Sequence, residues 1–271
     1  MKAKTRKIFI LLLVSVAIIS ISLPSMKPLY NQTVNREFIE NVERNALSAN
    51  IKIVQLKYTS GVNSSSIAVS AGASGVIIRK EDDRYFALTA NHVISELDDV
   101  DKTQIVALGY DDLDFQEYLN RGGEFIGTAN YYMKFPEITV EYTSEKSDLA
   151  LISFRSDKDY TPLSLAEDNP EYGDKIASMS NPHGKRNMVT AGKIGSKKFW
   201  DFEDESEKAK YSIITHSSVI SEGSSGSALL DEDLDIVGIN LGGNENFFHQ
   251  FVSGMAMPND QVRAFLEEWN R

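Results

Sequence analysis

The chain has 271 residues, 42% of them hydrophobic and 25% charged, which is enough apolar material for one or two globular domains. Its 28 basic and 39 acidic residues give a net charge of −11, so nucleic acid is not expected as a partner. The chain contains no cysteine, which excludes disulfide bonds, thiolate zinc sites, iron–sulfur clusters and a cysteine nucleophile.

The first 25 residues differ in composition from the rest of the chain. An uncharged apolar run from Ile8 to Leu23 follows four basic residues, Lys2, Lys4, Arg6 and Lys7. The run has 16 residues, fewer than the roughly 20 that span a bilayer but more than most cleavable signal cores. Because the small-x-small cleavage pattern after it is poor, residues 1–25 are predicted to be an uncleaved signal anchor, with a cleaved signal peptide as the alternative. The rest of the chain would then lie outside the cytoplasm, on the cell membrane if the segment is kept and in the periplasm or the medium if it is removed.

Residues 26–50 are predicted to form a polar spacer and a short helix, because four apolar residues recur at helical spacing. They are Phe38, Ile39, Val42 and Ala46. From residue 51 onward, short β-rich runs are separated by turns. These runs are Ile51–Tyr58, Gly75–Arg79, Tyr85–Thr89, Ile138–Tyr142, Leu149–Phe154, Tyr211–Thr215 and Ile236–Leu241. Many short strands without intervening helices are typical of an antiparallel barrel or sandwich, and Gln261–Trp269 is predicted to be a terminal helix.

Three segments each place a reactive side chain at the end of an apolar run. They are Ala87–Ile94, Ser147–Ile152 and Gly223–Ala228, and they contain His92, Asp148 and Ser225 respectively. Each segment by itself is more typical of ordinary structure than of catalysis. Together they supply a base, a carboxylate to orient it and a hydroxyl to attack, in the chain order His, Asp, Ser. An α/β-hydrolase is excluded, because its elbow needs a glycine where Ser227 stands and a catalytic histidine after the serine, where only His249 follows.

Six segments in this order resemble the trypsin-like serine proteases of the chymotrypsin fold, and most nearly the HtrA/Deg branch of bacterial extracytoplasmic proteases. They are Ala73–Ile78, Leu88–Ile94, Ser147–Phe154, Ser180–Gly184 with Val189–Gly192, Gly223–Ala228, and Ile236–Asn240 with Ala256–Pro258. The resemblance covers Ile51 to Glu268. It implies an all-β fold of two antiparallel six-stranded barrels with a short N-terminal and a C-terminal helix, and it assigns residues 51–271 to the protease domain.

The sequence also departs from the pattern of this family. Asn91 stands beside the histidine where the family usually has a small residue, and Ser227-Ala228 stands where Gly-Pro is usual. The family's PDZ domain would follow the terminal helix, but the chain ends at Arg271, so regulation by a PDZ domain is not expected.

The resemblance implies a role for each residue of the site. Ser225 would be the nucleophile, His92 the general base and acid, and Asp148 the group that fixes the tautomer of the histidine. The backbone N–H groups of Gly223 and Ser225 would form the oxyanion hole. Ser224 and Ser227 flank the nucleophile and are alternatives to it, whereas His183 and His216 are expected to be structural. Three scattered histidines without a neighbouring carboxylate pattern make a poor metal site, so no metal and no cofactor is expected.

The resemblance also implies a substrate pocket. Its base would be Val219, six residues before the nucleophile, and its wall would be Asn240, Leu241 and Gly242. Because Val219 carries no charge, we expect small or medium aliphatic side chains at the cleavage site rather than Lys or Arg. Ser224 offers no carboxylate to a newly cut N-terminus, so activation of the digestive-zymogen type is not expected.

The sequence thus predicts an exported serine endopeptidase that acts on protein or peptide substrates, misfolded proteins or a dedicated regulatory target among them. A catalytically silent binding or chaperone module on the same fold, and an esterase with the same triad, stay open. The resemblance further suggests a homo-trimer that assembles through the segment before the barrels, with the helix Arg36–Ala46 as the contact.

Overall fold

The computed structural model describes residues 35–60, 65–95, 101–195, 200–203 and 210–271. The predicted anchor, residues 1–25, and the first part of the predicted spacer lie outside the described residues. None of the helices among the described residues is long and apolar enough to cross a membrane.

The first part of the chain folds into an antiparallel barrel. Its strands are β1 (Asn50–Ser60), β2 (Ser65–Val69), β3 (Ala73–Glu81), β4 (Arg84–Ala90), β5 (Lys102–Leu108), β6 (Thr139–Ser144) and β7 (Leu149–Arg155). The sheet order is β2-β1-β3-β4-β7-β6, and β5 also pairs with β1. A bridge between Val106 of β5 and Glu137, just before β6, closes the ring. Six strands therefore form the barrel, and β2 extends the hairpin that it makes with β1.

The second part of the chain repeats this architecture. Its strands are β8 (Lys175–Ser180), β9 (Met188–Lys193), β10 (Trp200–Glu203), β11 (Lys210–His216), β12 (Ala228–Leu230), β13 (Ile236–Glu245) and β14 (Phe251–Pro258). The sheet order is β10-β11-β14-β13-β12-β8-β9. A bridge between Ile194, which follows β9, and His216 at the end of β11 closes this ring. Here too six strands form the barrel, and β10 extends the hairpin with β11.

The structure confirms the predicted fold class of two antiparallel barrels. Each described sheet has seven strands rather than the expected six, because one hairpin strand projects beyond each closed ring. Continuous apolar runs in the sequence explain why β4 and β7 were predicted. In β4 and β7 nearly every residue is buried, since both strands lie between the barrel interior and neighbouring elements.

The described residues also contain five α-helices. They are α1 (Arg36–Asn45), α2 (Asn91–Ile94), α3 (Phe115–Asn120), α4 (Thr128–Tyr132) and α5 (Asn259–Trp269). The predicted helix α1 packs on β8 and β9 through the buried Val42, and the predicted helix α5 packs on β7, β13 and β14 through Val262 and Phe265. Helices α3 and α4 were not predicted. They form an aromatic cover over β1 and β2, in which the ring of Tyr131 packs against the rings of Phe115 and Tyr118.

A buried polar layer joins the two barrels. Asn181, directly after β8, is fully buried, and its side-chain amide donates to Ile51 O of β1 at 2.9 Å. Its backbone N–H donates to Ser74 Oγ of β3 at 2.8 Å. Because buried polar groups are costly to leave unpaired, these bonds fix the position of one barrel against the other.

Candidate active site

The register of two neighbouring strands brings His92 and Asp148 together. Strands β4 and β7 are antiparallel, and Ala90 at the end of β4 lies opposite Leu149 at the start of β7. His92 follows β4 in α2, and Asp148 immediately precedes β7. Both side chains therefore emerge at the same end of the same strand pair.

The histidine and the carboxylate are held by three hydrogen bonds. The Nδ1 atom of His92 donates to Asp148 Oδ2 at 2.7 Å, and the backbone N–H of His92 donates to Asp148 Oδ1 at 2.9 Å. The backbone N–H of Asn91 donates to Asp148 O at 3.0 Å. Asp148 has a φ of +48°, a left-handed conformation that Asp tolerates better than most residues. With Nδ1 occupied as a donor, Nε2 of His92 is left as the proton acceptor.

Ser225 lies in the loop between β11 and β12, on the second barrel. This loop packs against the start of α2, because a Cβ added at Gly226 would lie 2.9 Å from Ala90 N. The Ser225 hydroxyl donates to Leu241 O at 3.0 Å, and within the described residues no hydrogen bond joins it to His92. The structure thus brings His92 and Asp148 into direct contact and holds the Ser225 hydroxyl on β13.

The carbonyl groups around Ser225 are tied down by residues outside the loop. Ser74 of β3 donates its backbone N–H to Ser225 O at 3.0 Å and its hydroxyl to Gly223 O at 2.8 Å. The backbone N–H of His183 donates to Glu222 O at 2.7 Å. One residue of the first barrel and one turn of the second therefore set the conformation of this loop.

The bond to Glu222 O decides where the first candidate oxyanion donor points. In a trans peptide, the C=O and N–H groups lie on opposite sides of the peptide bond. Fixing Glu222 O therefore directs the N–H of Gly223 the other way, and Gly223 adopts a φ of +91° that suits glycine. Among the described residues, the N–H groups of Gly223 and Ser225 have no protein acceptor. Both are available to an incoming oxygen atom.

The two serines that flank Ser225 are buried. Ser224 is 1% exposed and its hydroxyl donates to Ser180 Oγ at 3.2 Å. Ser227 is fully buried, and its hydroxyl accepts a hydrogen bond from Asn240 Nδ2 at 2.9 Å. A substrate could reach neither hydroxyl without opening the loop, which leaves Ser225 as the candidate nucleophile of the three.

The side chain of Asn240 does not line a pocket. It is fully buried, with its amide donating to Ser178 Oγ at 3.0 Å and to Ser227 Oγ, and its oxygen within 2.8 Å of His216 Nε2. Only the backbone of Asn240 could therefore take part in the predicted pocket wall, and this assignment stays a prediction. Leu241 and Gly242 are partly exposed and stay predicted wall residues.

Val219 and His216 have different surroundings. Val219 is partly buried, and its carbonyl accepts a hydrogen bond from Thr190 Oγ1 at 2.8 Å, so Thr190 joins it at the predicted pocket base.

His216 is 1% exposed. Burial lowers the pKa of His216 to about 4, against a smaller opposite effect of its bond to Asn240. His216 is therefore neutral near neutral pH and supports the loop from behind.

The chain is similar in sequence to known serine peptidases. The family model of the trypsin-like peptidase domain matches residues 73–239. Serine protease HTRA4 of Mus musculus is 28% identical over 137 residues, which is 49% of this chain and 27% of that protein. The periplasmic serine endoprotease DegP of Escherichia coli K12 is 27% identical over 202 residues, 72% of this chain and 35% of that protein. A probable DegP-like periplasmic endoprotease of Buchnera aphidicola is 26% identical over the same length, 72% of this chain and 34% of that protein. The chain thus spans about a third or less of the curated relatives that it matches.

We expect Gly223→Ala to lower the rate of labelling by a fluorophosphonate about 100-fold, the usual effect of losing one oxyanion donor. The added Cβ would lie 2.7 Å from Asn181 O at a φ of +91°, so the peptide before it must move. Gly173→Ala is the matched control, because Gly173 has a φ of +93° but open space around it. Equal labelling rates for the two variants would contradict the assignment of the oxyanion loop.

We expect the fold to lose stability as the pH falls from about 6.5 to about 4. The unfolded chain binds a proton at His216 near its ordinary pKa of 6.5, whereas the folded chain binds it only near 4. This difference amounts to about 3 kcal/mol in the free energy of unfolding. Urea unfolding at several pH values should show the loss in the wild type and in His249→Gln, an exposed control, and a clearly smaller loss in His216→Gln. The same loss in all three proteins would contradict the role of His216.

Proposed function

The chain belongs to the family of trypsin-like serine peptidases, and on that premise we propose that it is an extracytoplasmic endopeptidase that cuts proteins through His92, Asp148 and Ser225. Its relatives are named as serine proteases, and two of them as periplasmic. The observation that carries the proposal is the preset oxyanion loop around Ser225, beside a histidine whose Nδ1 is bound to a carboxylate.

Hydrolysis would proceed in two steps. A serine hydroxyl is a weak nucleophile, so His92 Nε2 takes its proton as Ser225 Oγ attacks the peptide carbonyl. Asp148 keeps the proton of Nδ1 in place and stabilises the imidazolium that forms. The N–H groups of Gly223 and Ser225 bind the oxyanion of the tetrahedral intermediate. His92 then gives the proton to the leaving amine, and water hydrolyses the acyl-enzyme by the same steps.

A cleft next to His92 supports a polypeptide substrate. It has a volume of about 210 Å³, and its lining includes Gln55, Gly72, Ser95 and Glu222. His92 itself lines this cleft, which we therefore propose as the place that receives the residues after the cleaved bond. The uncharged Val219 continues to favour aliphatic side chains before the cleaved bond.

The position of the Ser225 hydroxyl favours one second candidate. In the free protein the Ser225 hydroxyl donates to Leu241 O and not to His92. The same arrangement is expected in a catalytically silent module that only binds its partners. In the proposed enzyme, substrate binding draws the hydroxyl to His92 Nε2, since catalytic hydrogen bonds often form only in the substrate complex.

The proposal also covers the location of the chain and its assembly with other copies. The apolar segment of residues 1–25 would export the chain and hold it at the membrane unless it is cleaved. Helix α1 carries exposed residues around the buried Val42 and is our candidate for the contact between three copies.

The triad is tested by casein cleavage with the full chain. We expect Ser225→Ala and His92→Ala to lose at least about 1,000-fold in rate, and Asp148→Asn to lose about 10,000-fold, because a wrong tautomer blocks the base. Ser253→Ala, on the partly exposed face of β14, is the control and should match the wild type. A folded wild type that leaves casein intact would favour the silent module.

A further inference from the structure

Lys52 of β1 is a buried cation that the proposed mechanism does not use. The residue is 2% exposed, although lysine is rarely buried without a partner. Its ammonium donates to Gly184 O at 3.1 Å. In the described part of the chain, no carboxylate forms an ion pair with it.

The stability of the fold does not explain this lysine. Burial and, to a smaller extent, the nearby Arg186 lower the pKa of Lys52 to about 8, against an opposite effect of Asp114. A buried ammonium with one carbonyl acceptor costs free energy that an apolar side chain would not. A residue that destabilises the fold and is nevertheless present is a candidate for a functional role.

The contacts of Lys52 lead to the oxyanion loop in two steps. Gly184 O, its acceptor, belongs to the turn Pro182–Gly184 that also contains His183. The N–H of His183 holds Glu222 O at 2.7 Å, and this bond directs the N–H of Gly223. The turn needs support, because His183 and Gly184 both adopt left-handed conformations, with φ of +48° and +75°.

The stem of Lys52 is itself held firmly. Lys52 lies opposite Ser74 in the pairing of β1 with β3, and Ser74 binds Gly223 O and Ser225 O. Its Cε atom packs on Gly72, where an added Cβ would lie 2.5 Å away. The ammonium therefore reaches the turn from the strand pair that carries the other anchor of the loop.

We propose that Lys52 is a positioning residue for the oxyanion hole: its ammonium fixes the turn Pro182–Gly184 so that His183 holds the Glu222–Gly223 peptide in its catalytic orientation. The inference rests on the proposed function. Lys52 does not touch the substrate, so its contribution lies in the rate of the chemical step and not in substrate binding.

The first variant is Lys52→Met, which keeps the length of the stem and removes the charge. We expect kcat on a peptide substrate to fall about 10- to 100-fold with KM within about twofold, because only transition-state stabilisation is lost. The melting temperature should stay the same or rise, since a buried unpaired charge is replaced by an apolar group. Lys80→Met, at an exposed position of β3, is the control and should match the wild type.

A chemical rescue separates charge from packing. The chain has no cysteine, so Lys52→Cys can be alkylated selectively in the unfolded state and then refolded. Bromoethylamine restores an ammonium of nearly the lysine length, whereas iodoacetamide leaves a neutral amide. We expect the aminoethyl form to recover kcat to within a few-fold of the wild type and the amide form to stay as slow as Lys52→Met.

The outcomes separate this inference from the function on which it rests. A wild type that cleaves the peptide and a Lys52→Met variant of equal kcat would overturn the role of Lys52 and leave the protease function standing. Equal recovery with both alkylating reagents, or a lower melting temperature in Lys52→Met, would show that the side chain acts through packing and also overturn it. A folded wild type without activity would overturn the proposed function, and the inference with it.

Discussion

The candidate site depends on the hydrogen bonds that hold the carbonyl oxygens of residues 222, 223 and 225. Because the peptide unit is planar, a loop whose carbonyl groups are bound on one side presents its N–H groups on the other. Ser74 and the N–H of His183 supply these bonds, at 2.7 to 3.0 Å. The bond to Glu222 O directs the N–H of Gly223, and a bond from Ser227 N–H to Ser224 O at 3.1 Å directs the N–H of Ser225 in the same way. The two proposed oxyanion donors are therefore directed before any substrate arrives, which is the condition under which electrostatic stabilisation costs no reorganisation during the reaction.

The two barrels have separate tasks in this arrangement. The first barrel carries His92 and Asp148 on one strand pair, where the register of β4 and β7 decides their distance. The second barrel carries Ser225 and supports its loop with the buried side chains of Asn240 and His216. Ser227, which stands where the family usually has glycine, takes part in this support through its hydroxyl. The presence of Ser227 in place of glycine is thus accommodated by a hydrogen bond, and the loop keeps Gly223 and Gly226.

Hydrophobic patterning predicted seven of the fourteen described strands and both long helices, but it missed the buried β8 and β12. The two-barrel fold class followed from the resemblance to a known family. Strands with little apolar alternation, such as the exposed β2, were missed, as were α3 and α4, whose stability comes from aromatic packing on β1 and β2 and not from a helical pattern of their own. The motifs identified His92, Asp148 and Ser225 as a set. They could not reveal that Ser74 and His183 act through backbone and hydroxyl groups, or that Asn240 faces inward, because these depend on contacts between distant segments. Lys52 belongs to none of the sequence motifs, and only its burial in the structure indicates a role.

The central claim is that the free protein already holds a competent nucleophile loop around Ser225. The most direct measurement is to treat the full folded chain with a fluorophosphonate, without any activating partner, and to locate the adduct by peptide mass spectrometry. The account predicts one adduct, on Ser225, and none after the chain is unfolded. An adduct on Ser224 or Ser227, or no adduct in the folded chain, would contradict it.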